Sequence, residues 1–181
     1  MAGSALLNAK RILEDVGVKR GMRVADFGAG GSGHLVFPAA ERVGEDGRVF
    51  AVDIQRSALE MLEGRRRQYL VHNLDTVWGD FERAGGVAID PGSLDVAFLV
   101  NTLWVLKDHL EAVKEIRRLM TPDGKIVVID WLPATRHEVA PERRVRLQPN
   151  IADVYFLSGG CEACEDLRPS PAHWGRIYRL S

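Results

Sequence analysis

Cysteine is scarce in this chain: Cys161 and Cys164 are the only two among 181 residues. Their C-x-x-C spacing has neither the second pair nor the histidines that a four-ligand zinc site needs, and no strand-to-helix start that would mark a redox pair. They read as two free thiols in a reducing compartment, and no metal is expected. Net charge is equally scarce, with 24 Lys plus Arg facing 25 Asp plus Glu. A chain this close to neutral lacks the cationic surface on which phosphate binding depends, which argues against nucleic acid as a partner. No run approaches the roughly 18 apolar residues of a membrane span, so membrane insertion is not expected. The opening MAGSALLNAKRILEDV has no basic start and breaks its apolar residues at Lys10 and Arg11, a helix pattern rather than a secretion signal. A cytoplasmic protein is expected. Internal repeats, low-complexity tracts and linkers are also missing. What remains is ordinary globular composition, 46% hydrophobic and 27% charged, enough for one domain over 1–181 that needs no disulfide or metal staple.

Apolar runs that read as buried strands alternate with stretches of helical period, the signature of a parallel sheet covered on both faces. The strands are expected at 22–27, 47–53, 75–79, 94–100 and 125–131, with helices at 32–43, 56–70 and 108–120 between them. The last helix is the clearest. Leu106, Leu110, Val113, Ile116, Leu119 and Met120 repeat at three and four residues, Asp108 can cap its start, and Thr121-Pro122-Asp123-Gly124 is a turn that ends it. A polar, proline-bearing loop follows Trp131, then a short helix from about 150 to 158 that stops at Gly159-Gly160. Two last strands, 161–167 and 173–180, are joined too closely for a parallel crossover, so they form an antiparallel hairpin at one edge.

The most informative stretch is VADFGAGGSG, residues 24–33, in which Gly28, Gly30 and Gly33 match G-x-G-x-x-G at a strand-to-helix turn. Asp53 closes the second strand, where a carboxylate accepts from both hydroxyls of a ribose. Glycines and Asp53 alone fit a nicotinamide enzyme equally well. Two further acids separate the readings. Asp26 ends the first strand, where a carboxylate repels phosphate and welcomes a cation. Asp80, in Trp78-Gly79-Asp80-Phe81, follows the third strand, placed to accept from the amino group of a base. Three acids thus sit at the carboxyl ends of three successive strands, where open α/β sheets bind ligands. They describe an adenosine carrying positive charge. The alternatives are that Asp80 caps a helix and that Asp26 is a buried, hydrogen-bonded acid.

These motifs resemble those of the class I S-adenosylmethionine-dependent methyltransferases. VADFGAGGSG is similar to their first motif, VFAVD to the ribose motif, WGDF to the adenine motif, and LMTPDGKIVVIDW to the stretch that closes the fifth strand. The likeness covers almost the whole chain and extends to the end hairpin. Within the class it is most similar to small single-domain bacterial and archaeal enzymes related to the ubiquinone/menaquinone-biosynthesis methyltransferases, with a closing aromatic–glycine pattern at His173-Trp174-Gly175. The resemblance implies an α/β fold: a doubly wound, seven-stranded, mostly parallel, Rossmann-like sheet with an antiparallel C-terminal edge hairpin. It implies S-adenosylmethionine as cofactor and S-adenosylhomocysteine as product. It also implies Asp26 and Gly28 at the methionine end, Ala29, Gly30 and Gly33 in the glycine turn, Asp53 and Ile54 at the ribose, and Gly79, Asp80 and Phe81 at the adenine.

Methyl transfer is an in-line displacement at an already activated carbon, so alignment and exclusion of water matter most and no base is obligatory. Asn101 ends the fourth strand and points into the same crevice, which makes it the best candidate to touch cofactor or substrate. Trp104, and Trp131, His137 and Arg144 from the loop after the fifth strand, are the substrate-side candidates. His137 is a general base or an exposed loop histidine, and Arg143, Arg144 and Arg146 grip an anionic substrate or form a solvated face. His34, beside Gly33, is expected to be neutral or turned away. Arg65-Arg66-Arg67 reads as remote from the site. The chain departs from the N-P-P-Y motif of amino-group methyltransferases, which puts nucleic-acid bases and glutamine in doubt as substrates. A small-molecule acceptor is expected, in a pocket that is open or completed by a second chain, as in a homodimer. The rival readings are an S-adenosylmethionine-binding module, a partner-dependent methyltransferase of a macromolecule, and a nicotinamide oxidoreductase, which leaves Asp26, Asp80 and the hairpin unexplained.

Overall fold

The computed structural model describes residues 6–181; the first five residues of the N-terminal helix pattern lie outside that range. Strands β1 (Arg23–Phe27), β2 (Arg48–Asp53), β3 (Leu74–Trp78), β4 (Leu94–Val100), β5 (Met120–Trp131), β6 (Cys161–Ser170) and β7 (His173–Leu180) form one sheet in the order β3-β2-β1-β4-β5-β7-β6. The first five are parallel, and β7 runs antiparallel between β5 and β6. Strand residues alternate between two cores, as a period of two demands. Val24, Val49, Val96, Phe98, Val127 and Ile129 meet α1 (Ala9–Val16), α2 (Val36–Val43) and α3 (Arg56–Gln68) on one face. Phe27, Val52, Leu99, Ile126 and Val128 meet α4 (His109–Leu119) and α5 (Pro149–Ser158) on the other. This is the doubly wound sheet with an antiparallel edge hairpin that the motifs imply.

Local details depart from the sequence reading where glycine and register intervene. Helix α2 begins at Val36 instead of residue 32, because Gly33 takes a left-handed φ of 66° that helical backbone cannot include. The left-handed turn also excludes a side chain there: a Cβ on Gly33 would lie 2.3 Å from the Phe37 ring. Strand β5 starts at Met120 instead of 125. Leu94 pairs with Met120 and Val96 with Lys125, so the expected turn at Thr121–Gly124 stands out as a bulge within the ladder. The cap of α4 is as expected, with Asp108 Oδ1 accepting from the Glu111 amide at 3.0 Å.

Carboxylates fix the loops at the carboxyl end of the sheet. Glu115 on α4 is buried, and its two oxygens accept from the Gly85 and Val87 amides at 2.9 and 3.2 Å while Arg118 pairs with it. Glu82 Oε2 accepts from the Lys107 and Asp108 amides, both at 2.6 Å, which ties the loop after β3 to the start of α4. At the far edge, Arg176 of β7 bridges Asp153 of α5 and Asp166 of β6, and the Tyr178 hydroxyl donates to Asp153 at 2.8 Å.

Two outcomes test this account. Glu115→Ala strands the buried Val87 amide, the part-buried Gly85 amide and a guanidinium, and should lower unfolding stability by about 3 kcal/mol in urea denaturation; a loss under 1 kcal/mol would refute the clamp. Cys161 is buried, which pushes its thiol up to about 11, whereas Cys164 is exposed. Iodoacetamide at neutral pH should therefore label one thiol in the native protein and two after unfolding, as read by mass spectrometry.

Candidate functional site

The chain turns from one side of the sheet to the other between β1 and β4, and the crevice outside the carboxyl ends of these strands is where such folds bind ligands. Two cavities meet there and share Gly28. One is bounded by Asp26, Ser32, His34, Val100 and Asn101, with Leu7, Ala9 and Ile12 of the N-terminal segment as its wall. The other, about 210 Å³, is bounded by Asp53, Ile54, Gly79, Asp80, Phe81, Thr102, Val105 and Leu106. Gly28 must be glycine for two reasons. Its φ is 80°, and a Cβ would stand 2.7 Å from the Thr102 side chain across the crevice.

Three amides of the glycine turn are already engaged. Gly28 N and Ala29 N donate to the Val52 carbonyl at 2.8 and 3.1 Å, and Gly30 N donates to Asp53 Oδ2 at 2.9 Å. They are not presented as a cradle for a pyrophosphate, the use that a nicotinamide site makes of this turn. Asp53 Oδ1 accepts from the Gln55 amide at 2.8 Å, so both carboxylate oxygens are oriented and each keeps a lone pair for a ligand at the rim.

Asp26 differs. It is 6% exposed and, among the described residues, receives no hydrogen bond from the protein. Burial, and secondarily the negative charge of Asp53, push its carboxyl from 3.8 up to about 7. Beside it in the first cavity, Asn101 is 2% exposed with neither side-chain atom partnered, on a backbone held at φ 56°. Its amide donates to the Ile129 carbonyl and its carbonyl accepts from Trp104 Nε1 at 3.0 Å, so the strained residue is pinned by its backbone and offers its side chain. Asp130 stabilises the same loop, with Oδ2 accepting from the Leu103 amide and Oδ1 from the Trp131 amide, although burial pushes its carboxyl to about 7.

Asp80 caps no helix. Its Oδ1 accepts from the Glu82 amide at 3.0 Å in a turn, and its Oδ2 lies 3.2 Å from Arg83. Phe81 is buried edge-on against Phe27 at 5.4 Å, and Ile54 is exposed on the cavity's outer rim. Nine of the eleven cofactor-side candidates therefore line the two cavities, and Gly30 and Gly33 line neither. The substrate-side candidates are more scattered. Trp104 is tied to Asn101 as described. Trp131 is buried against His173 at 4.2 Å, with exposed His137 at 6.2 Å from its ring. Arg144 is exposed and paired with Glu142 at 2.6 Å, and Arg146 braces the loop through the Pro141 and Thr135 carbonyls. His34 Nε2 donates to the Leu7 carbonyl at 2.7 Å, and Arg65, read from sequence as remote, reaches the Ser32 carbonyl of the glycine turn. Thr102 lies in the stretch after the fourth strand that sequence reasoning set facing the substrate, and it lines the second cavity with Leu106, which was read only as part of a helical stripe; Val105 and the Leu7–Ile12 wall, which carry only the apolar periodicity of any core, were passed over, and His173 appeared only as part of an aromatic–glycine pattern. No group of three His, Cys, Asp or Glu among the described residues could hold a metal.

The family described as "Methyltransferase domain" matches residues 18–174. A demethylmenaquinone methyltransferase of Staphylococcus aureus is 29% identical over 121 residues, covering 67% of this chain and 48% of that protein. A ubiquinone/menaquinone biosynthesis C-methyltransferase of Idiomarina loihiensis is 28% identical over 142 residues, covering 76% and 55%. The chain spans about half the length of the curated relatives it matches. In fold it is similar to a SAM-dependent methyltransferase from Aquifex aeolicus, with a TM-score of 0.89 at 19% identity over 97% of this chain and 91% of that one.

The raised carboxyl of Asp26 makes a stability prediction. A folded-state value above the unfolded one stabilises only below about pH 4, and that contribution is lost as pH rises through 7. Asp26→Asn should thus be more stable than wild type at pH 8, by on the order of 4 kcal/mol at most, with the gap closing as pH falls toward 4. Urea denaturation at pH 5 and pH 8 reads this, and a gap independent of pH would refute it.

Proposed function

Because the chain belongs to the methyltransferase-domain family, we propose that it binds S-adenosylmethionine across the two cavities and transfers its methyl group to a small-molecule acceptor. The observation that carries this reading is Asp26, a buried carboxyl with no donor among the described residues, beside an Asn101 side chain that has no partner among them. A ligand with positive charge and hydrogen-bonding groups satisfies both at once, and an amino-acid end carrying an ammonium next to a sulfonium has that character. Asp53, oriented by the Gly30 and Gln55 amides, holds the ribose hydroxyls, and the Gly79–Phe81 turn with Ile54 encloses the adenine. Engagement of the Gly28, Ala29 and Gly30 amides by β2 favours this cofactor over a dinucleotide.

When bound, the cofactor supplies a methyl group on a cationic sulfur that departs as a neutral thioether. The chain's own contribution is binding and alignment. Asp26 fixes the charged end, Gly28 lets the ligand pass between the cavities, and Asn101 stands where the fourth strand opens toward an acceptor. We place its work in the cytoplasm, on a small molecule, with 18–174 acting as one cofactor-binding unit.

Isothermal calorimetry tests the reading. S-adenosylmethionine and S-adenosylhomocysteine should bind and NAD should not; binding of NAD alone would overturn the proposal. Asp53→Ala should weaken S-adenosylmethionine binding by roughly 10- to 150-fold through loss of charged hydrogen bonds to the ribose. Affinity equal to wild type would remove Asp53 from the site.

A further inference from the structure

Strand β3 is one edge of the sheet, with β2 as its only neighbour. The Val49 amide donates to the Asn73 carbonyl at 2.9 Å, and the Gly79 amide donates to the Asp53 carbonyl at 3.3 Å. Backbone direction alternates along a strand, so residues 73, 75, 77 and 79 turn to β2, and the N–H and C=O groups of Leu74, Thr76 and Trp78 point outward. The opposite edge is protected against further pairing. There β6 carries Glu162, Glu165, Asp166 and Arg168 on exposed or half-buried positions, Pro169, and register shifts between Ala163 and Glu165 and between Leu167 and Ser170. β3 has neither a proline nor a register shift, and its one charged residue, Asp75, is held by Arg48 at 2.6 Å.

The space beside this bare edge is open. α3 stands back from the strand and leaves a groove of about 460 Å³ lined by Leu59, Gly64, Thr76 and Trp78. Arg56, Arg67, Glu60 and Glu63 also line it, and their charges cancel, so no field of one sign meets an approaching chain. Apolar side chains at least half exposed flank the strand at both ends, Tyr69 and Leu70 before it and Ile54 and Trp78 at its carboxyl end. The Trp78 ring is fixed in place: its Nε1 donates to the Ile54 carbonyl at 3.0 Å, and the Arg56 guanidinium stacks on it at 4.2 Å. Apolar groups gathered on an unpaired edge mark a surface that another chain covers.

We propose that β3 pairs antiparallel with β3 of a second copy of this chain, across a two-fold axis at Thr76, which joins the two sheets into one. This pairing does not depend on the methyl-transfer reading. A two-fold contact needs a strand that complements its own reverse, and β3 has that property. With the axis at Thr76, Leu74 meets Trp78 of the partner subunit, Thr76 meets Thr76 of the partner subunit, and every outward N–H and C=O of the strand finds a mate. Asp75 then lies opposite Val77 of the partner subunit. An axis at Asp75 would set two carboxylates face to face, and an axis at Val77 would leave Leu74 outside the ladder. The antiparallel direction also brings the Tyr69–Leu70 end of one copy to the Ile54–Trp78 end of the other, so the exposed apolar groups cover one another.

Sedimentation equilibrium of the full chain tests this. The wild type should sediment at twice the mass of the chain at micromolar concentration. Because Thr76 meets its own copy, Thr76→Glu and Thr76→Lys each oppose like charges and should each raise the dimer dissociation constant by roughly 30-fold or more. An equimolar mixture of the two variants opposes unlike charges and should recover a heterodimer to within about threefold of the wild-type constant. A wild type that stays monomeric would overturn the proposal and leave the edge to a strand of a different protein. A dimer that neither charge variant weakens, or a mixture that stays monomeric, would overturn it too. Should a charge variant fail to fold, Thr76→Pro removes only an N–H that points away from β2, so it should keep the β2 ladder and lose the dimer. A dimer that persists in Thr76→Pro would count equally against the interface.

Discussion

Placing a carboxyl in a buried crevice beside a second carboxylate is the constraint around which this protein is organised. Asp26 lies one residue before the end of β1, loses water on burial, and feels the charge of Asp53 from the neighbouring strand. An apolar residue in its place would suit the free chain better. Its retention at the point where the sheet changes direction makes sense for a site that meets positive charge, because the cationic ligand supplies the stabilisation that the protein withholds.

The contrast with the other acids makes the point sharper. Asp53, Glu82, Glu115 and Asp130 each accept two backbone amides and so clamp the glycine turn, the link to α4, the loop after β3 and the loop after β4. Oxygen acceptors oriented in this way hold irregular backbone still at the mouth of a cleft, where secondary structure cannot. Asp26 alone of this set clamps nothing. Four carboxylates build the crevice and the fifth is left to face what enters it.

Much of this was legible in the chain itself. Strand and helix order follows from alternating apolar runs, the edge hairpin from a joint too short for a crossover, and the crevice acids from their positions at strand ends. The glycine motif was read as a strand-to-helix turn, and it joins β1 to α2. Its Gly28, Ala29 and Gly30 amides bond to β2, and the left-handed Gly33 delays the helix to Val36, neither of which residue spacing shows. The bulge at Thr121–Gly124 was read as a turn for a similar reason: local residue preference cannot show that Leu94 and Met120 pair across it. Arg65 looked remote because its sequence distance from Ser32 is large, whereas α3 lies alongside the glycine turn in space.

By itself the sequence determined the class of fold, the order of its elements and the identity of the acids at the strand ends, since periodicity, turn chemistry and charge are local properties. Only the tertiary structure decided which polar groups are left without partners. Asn101, His173 and Trp174 are ordinary residues on paper, and what distinguishes them is that each buries a side-chain atom with no partner among the described residues. Hydrogen-bond satisfaction is a property of the whole packed molecule, so it appears only when strands distant in sequence are brought side by side.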